Sequence, residues 1–193
     1  MTWIDTAAGP FDYTNPTANP RVFAPDVIAQ SLARMPRFLG HGLTAAPLSV
    51  AAHSLLVAHL LSAQGCGRHV VLLGLLHDAH ESLVGDCPAP LKAMLLEYRV
   101  IEDCVQAAAL AALAPNHVFT QEDWAAVKYA DLQALRIEGE LIFECSATGA
   151  WTADLPDTTV PHGELLNILT EHPEIAEPYW RAKYVELTHE GDF

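Results

Sequence analysis

Two long apolar stretches constrain what this chain can fold into. Leu48–Gln64 carries Val50, Leu55, Val57, Leu60 and Leu61 without a glycine or proline until Gly65. His69–Val84 repeats the pattern through the nearly all-apolar VVLLGLL and stops before Gly85. Each stretch is longer than ten residues, beyond the usual length of a buried strand, so both are expected to be helices. An almost uniformly apolar helix must be covered on most sides, and a glycine directly after it is a common helix stop.

The remaining chain fits around such a pair. Pro10, Pro16, Pro20 and Pro25 disfavour helix over residues 1–25, which are expected to form an extended, proline-rich N-terminal arm. From there on, residues 26–193 read as one all-α domain. Asp26–Met35 spaces its apolar residues at helical intervals until Pro36, and RFLGHGLTAAP follows as a loop. Cys87–Pro90 is a turn, Leu91–Leu113 a helix whose Val105–Leu113 end is expected to face the core, the alternative being an oligomer face, and Pro115-Asn116 a break. Thr120 reads as an N-cap, with Glu122 and Asp123 in the first turn of a long helix reaching Ser146. Gly149–Pro161 is a loop, and two helices over Glu164–Thr170 and Glu174–Leu187 close the chain; no strand is expected.

Composition narrows the partners. With 193 residues, 51% hydrophobic and 18% charged, the chain can bury a substantial core. Ten Lys+Arg against 24 Asp+Glu leave a net charge of −14, the wrong sign for gripping a nucleic-acid polymer. Cys66, Cys87, Cys104 and Cys145 are widely spaced and read as reduced, buried thiols. No basic segment precedes an apolar run at the N-terminus, and no stretch approaches the ~20 apolar residues of a membrane span, so a cytoplasmic protein is expected.

Three polar insertions interrupt the apolar helices where packing would favour a hydrophobe: His53, His77-Asp78 and Asp131. Two imidazoles and two carboxylates suit a divalent first-row ion with room for water, rather than a closed thiolate site. On a continuous helix Glu81, four residues after His77 and three after Asp78, shares their face and is suited to act on a water beside the ion. His80 lies about 100° from Glu81 around such a helix and reads as a packing residue. His59, off the face of His53, also reads as structural, whereas His41 is expected to face the pocket.

This pattern of H…HD…D on an all-helical chain resembles the HD superfamily of metal-dependent phosphohydrolases. RFLGHG, SVAAHSLLVA, LLHDAHESLVGDCPAPLK, YRVIED and ADLQALRIEGE resemble the branch holding bacterial 5′-deoxynucleotidases and phage dATP triphosphohydrolases, over about residues 26–145. The resemblance implies an HD-type helical bundle and one divalent ion (Co, Mn, Ni, Zn or Mg) held by His53, His77, Asp78 and Asp131. Glu81 matches the catalytic carboxylate, and Asp86 an acid assisting near the leaving group or the attacking water. Arg37 and Lys92 match phosphate-binding residues, Phe38 an aromatic against sugar and base, and Pro88 and Pro90 the prolines shaping the nucleoside pocket. Leu39 departs from a frequent Asn, and Ala46-Pro47-Leu48 from an aromatic pair; both border the expected pocket.

The expected activity is metal-dependent hydrolysis of a small-molecule 2′-deoxynucleotide, as a dATP-type triphosphohydrolase or a 5′-deoxynucleotidase, releasing the nucleoside. The alternative is an HD-type domain that binds or senses a nucleotide without hydrolysing it. A homo-oligomer is expected because the family forms them.

Overall fold

The computed structural model describes residues 1–44, 46–143 and 154–189, with no account of the side chains of Ile168 and Glu171. Two helices lie at its centre. Val50–Ala63 (α2) begins at Ser49, whose hydroxyl accepts from the Ala52 amide, and all but three of its residues are buried. Arg68–Leu76 (α3) packs against it. Gly74 allows the close approach: a Cβ there would stand 2.3 Å from the Leu61 Cδ1 and 3.4 Å from the Val57 Cγ1. Both neighbours are fully buried.

Around this pair stand Pro25–Arg34 (α1), Leu96–Leu113 (α6), Gln121–Phe143 (α7), Gly163–Glu171 (α8) and Ala176–Thr188 (α9). Helix α2 contacts α1, α7, α8 and α9, and α3 contacts α7 and α9. Two one-turn helices, Glu81–Val84 (α4) and Ala89–Lys92 (α5), bridge α3 to α6. The Thr120 cap holds: its hydroxyl accepts from the Asp123 amide, and its own amide donates to the Asp123 carboxylate at 2.7 Å. Along α6, Val105, Ala109 and Leu113 are buried as expected. The mostly helical architecture is therefore the one the apolar periodicity predicts.

Three expectations need correction. The first 25 residues are not simply extended. Trp3–Thr6 (β1) and Gly9–Asp12 (β2) form an antiparallel hairpin, closed by the Thr6 hydroxyl donating to the Gly9 carbonyl at 2.6 Å. Pro10 sits on β2, which pairs with β1 alone among the described residues and so has a free side where a missing amide costs nothing. The segment contributes Phe11, Val22 and Phe23 to the core. Second, two expected helices are broken: the one from His69 does not run on to Val84, and the one from Leu91 is divided between α5, ending at Lys92, and α6, starting at Leu96. Third, Cys104 is exposed and Cys66 and Cys87 are half-buried; Cys145, the helix end at Ser146 and the start of the Gly149–Pro161 loop lie outside the described residues.

Candidate metal centre

The break in the second apolar stretch places the centre. Helix α3 ends at Leu76, and residues 77–80 turn through shorter bonds, Ala79 amide to Leu76 carbonyl at 2.9 Å and Glu81 amide to Asp78 carbonyl at 3.0 Å. The His77 carbonyl accepts from the Gln106 side chain of α6 at 3.0 Å. Three-residue periodicity aligns residues i and i+3, so the turn puts Glu81 in register with Asp78 rather than with His77.

His53 enters from α2, His77 and Asp78 from the end of α3, and Asp131 from α7. The His53 Nε2 lies 3.3 Å from the His77 Nε2, 3.4 Å from the Asp78 Oδ2 and 3.3 Å from the Asp131 Oδ1. The His77 Nε2 is 3.1 Å from the same Asp78 oxygen. Donor atoms of His53, His77 and Asp131 all lie within 4.8 Å of one another. Metal–ligand bonds of about 2.0–2.2 Å give neighbouring donors separated by roughly 3.0–3.5 Å, so these spacings match those that the ligands of one bound ion would have.

The far nitrogens orient both rings. His77 Nδ1 donates to the Gly74 carbonyl at 2.7 Å, and His53 Nδ1 donates to the Glu138 Oε1 at 2.6 Å. With those protons assigned, each Nε2 turns a lone pair inward, and acceptors face acceptors. Such an arrangement is repulsive unless a positive charge lies between them, so the donor set fits a divalent cation. Without an ion, a proton answers the same need. Burial and Arg37 oppose charging His53, but Glu138 and Asp131 outweigh them and push its imidazole up to about 10. Burial would raise Asp78 and Asp131; His77 holds the first, and His53 the second, well below the ordinary carboxylate range.

Glu81 is 3% exposed, and its Oε2 has no hydrogen-bond partner among the described residues. Burial, then the charges of Asp78 and Asp86, push its carboxyl well above the usual value. Asp86 is raised too, by burial against the opposing pull of Arg37. Glu81 sits on α4, a single turn; two of its carbonyls and that of Gly85 just beyond it are met by three hydroxyls. Ser31 donates to the Ser82 carbonyl at 3.1 Å, Tyr13 to Leu83 at 2.6 Å, and Tyr98 to Gly85 at 3.0 Å.

The guanidinium of Arg37 donates through Nε and Nη2 to the Glu138 Oε2, at 3.3 and 3.1 Å, while Nη1 is 3.9 Å from Asp86. It lies over the Phe38 ring, 5.5 Å from the centroid, and that ring meets Phe143 edge-on at 5.2 Å. Phe38 and Leu39 both adopt left-handed backbone, at φ 53° and 56°.

A cleft of about 190 Å³ opens beside His77, Asp78 and Asp131, walled by Trp124, Lys92 and Lys128 among others. The Lys92 ammonium is 2.5 Å from the Glu102 Oε1, and the exposed Lys128 donates to the Asp131 Oδ2 at 2.7 Å. His80 is buried against Glu102 at 3.3 Å. His59 meets the Pro161 carbonyl at 2.6 Å. Arg37, Phe38, Glu81, Asp86, Pro88 and Pro90 do not line this cleft, and His41 is exposed in the loop after Arg37. The prolines instead open α5, which carries Lys92.

Sequence reasoning missed Glu138, Lys128 and Trp124. Glu138 stands seven residues after Asp131, two helical turns along the same face, and that spacing was the available signal.

These observations define a mostly helical protein with a buried His/Asp centre that could hold a metal ion. No family model matches the chain. It is 32% identical over 138 residues to the uncharacterised protein YfdR of Escherichia coli strain K12, covering 72% of this chain and 71% of that protein, and it belongs to YfdR's family. A 118-residue stretch is 36% identical to an uncharacterised protein of Rhodobacter capsulatus, covering 60% of each.

Proposed function

We propose that the chain is an HD-type, divalent-metal-dependent phosphohydrolase that acts on a 2′-deoxynucleotide and releases the nucleoside. The observation that carries this reading is the convergence of His53, His77, Asp78 and Asp131 beside two carboxyls of raised pKa and an arginine whose side chain is only 11% exposed. Those four residues would hold the ion. When bound, it would supply positive charge to a phosphate oxygen and acidify a water.

The chain's own groups divide the remaining work. Arg37 and Lys92, with Lys128 at the rim, offset the charge of the phosphate, whose transfer depends chiefly on electrostatic positioning. Glu81 keeps its proton to higher pH than an ordinary glutamate. It is therefore suited to deliver that proton to the leaving 5′-oxygen as the phosphorus–oxygen bond breaks, and to recover one from the attacking water. Asp86, between Glu81 and Arg37, orients the water. Trp124 offers an aromatic wall to the nucleoside side of the cleft.

The test is a panel of deoxynucleoside mono-, di- and triphosphates and their ribonucleotide counterparts, each with Mn²⁺, Co²⁺, Ni²⁺, Zn²⁺ or Mg²⁺, with products identified. Wild type should release nucleoside, and Glu81→Ala should lose turnover while still binding the ion. Nucleotide binding without product in every metal would favour the sensing alternative; full activity in Glu81→Ala would refute its assigned role.

A further inference from the structure

Glu138 is fully buried, and its two oxygens serve two different partners. Oε1 accepts from the His53 ring at 2.6 Å, and Oε2 accepts from Arg37 at 3.1 and 3.3 Å. Among the residues to which the proposed function gives a role, one therefore belongs to the ion and the other to the phosphate. A single carboxylate joins them.

We propose that Glu138 is a positioning residue that makes the hold on the ion and the grip on the phosphate interdependent; this rests on the metal-dependent hydrolase reading. On the His53 side, a carboxylate on Nδ1 fixes the tautomer, aims Nε2 inward and strengthens the ring as a ligand. On the Arg37 side, the paired contacts use the one edge of the guanidinium that carries Nε and Nη2, and leave Nη1 directed toward Asp86, 3.9 Å away. Arg37 begins a segment whose next two residues are left-handed, and that segment is fastened elsewhere to the same helix. The Leu43 amide donates to the Ile142 carbonyl at 2.8 Å, and Phe38 packs on Phe143. Helix α7 thus carries an ion ligand at Asp131, the bridging carboxylate at Glu138 and the seat of the arginine loop beyond it.

An amide in place of the carboxylate keeps the shape but accepts on one side only. Glu138→Gln can satisfy His53 or Arg37, not both, and presents an NH₂ to the other. Glu138→Asp keeps both acceptors on a shorter stem and serves as the conservative rescue; Glu138→Ala would leave Arg37 unpaired in the interior and is unsuitable because it threatens folding.

The experiment measures Mn²⁺ affinity by calorimetry, without nucleotide, for the folded full chain as wild type, Glu138→Gln and Glu138→Asp, and then kcat and KM separately for hydrolysis. Circular dichroism confirms folding first. Glu138→Gln is expected to weaken Mn²⁺ binding about 10–100-fold and to raise KM along with lowering kcat, with partial recovery in Glu138→Asp. A folded Glu138→Gln variant with unchanged Mn²⁺ affinity and unchanged KM would overturn the proposal. Wild type that neither binds Mn²⁺ nor hydrolyses any nucleotide would instead overturn the underlying hydrolase reading, so the two failures are distinct.

Discussion

Replacing Leu39 by Asn should stabilise the protein. Leu39 is 64% exposed and sits at φ 56° and ψ 24°, directly after Phe38 at φ 53° and ψ 32°. For an L-residue with a bulky side chain the left-handed region costs about 1–2 kcal/mol, whereas Asn enters it readily. Against this stands the burial that the leucine side chain provides and asparagine does not. Complete burial of such a side chain contributes about 1.5–3 kcal/mol, and with roughly a third of the residue covered the penalty is at most about 0.5–1 kcal/mol. The balance is a gain of about 0.5–1 kcal/mol, or a Tm increase of roughly 1–4 °C for a chain of this size. Leu43→Asn is the control, because Leu43 is similarly exposed at 70% and its φ is not positive, so it should show the penalty without the gain. Urea titration and thermal melts of the three proteins would decide. If Asn at both positions lowered stability equally, the left-handed backbone would not be a source of strain, and the reasoning would fail.

Further outcomes follow from the same geometry. Adding Mn²⁺ or Co²⁺ to metal-free protein should raise Tm, by about 2.7 kcal/mol of added stability at a hundredfold excess over Kd, and His53→Ala should erase the effect in a thermal-shift assay. Gly74→Ala should cost about 1–2 kcal/mol in urea unfolding, since overpacking against the buried Leu61 exceeds the roughly 1 kcal/mol that alanine adds to a helix. Glu102 is raised by burial, but its bonds from His80 and Lys92 outweigh this and hold it below its usual value, so its stabilisation is present above about pH 4.5 and fades as the pH falls through the lower folded value. The stability gap between wild type and Glu102→Gln, followed by urea titration from pH 7 to 3, should therefore close toward the acid end; a gap that widened would contradict the pairing.

Legibility in the sequence followed the range of the interaction. The end of α2, the end of α6 and the start of α7 could be placed because Gly65, Pro115 and Thr120 punctuate them locally, and the four candidate ligands stood out as polar residues in apolar surroundings. The hairpin was hidden because WIDT and GPFD are short, carry a proline and show no clear alternation. The turn at His77–His80 was hidden because apolar periodicity cannot distinguish a continuous helix from one closing with shorter bonds. Glu138 looked like any acid in a charged stretch, IEGE, until the fold brought α2 and the arginine loop against it. Lys128 was passed over for the same reason: three residues before Asp131, it reads as a solvated helix face.

The hydroxyls that meet the carbonyls of α4 and of Gly85 also bear on how the chain assembles. Two reach across 70 and 51 residues of sequence, from Tyr13 to Leu83 and from Ser31 to Ser82, whereas Tyr98 reaches across only 13 to Gly85. During synthesis Tyr13 and Ser31 leave the ribosome long before their acceptors exist, so the hairpin and α1 must wait with their donors hydrated. Contacts of such separation close late, after local helices have formed. The turn bearing Glu81 is then expected to be among the last parts of the molecule to become rigid, its carboxyl reaching its final place only when the beginning of the chain folds back over its middle.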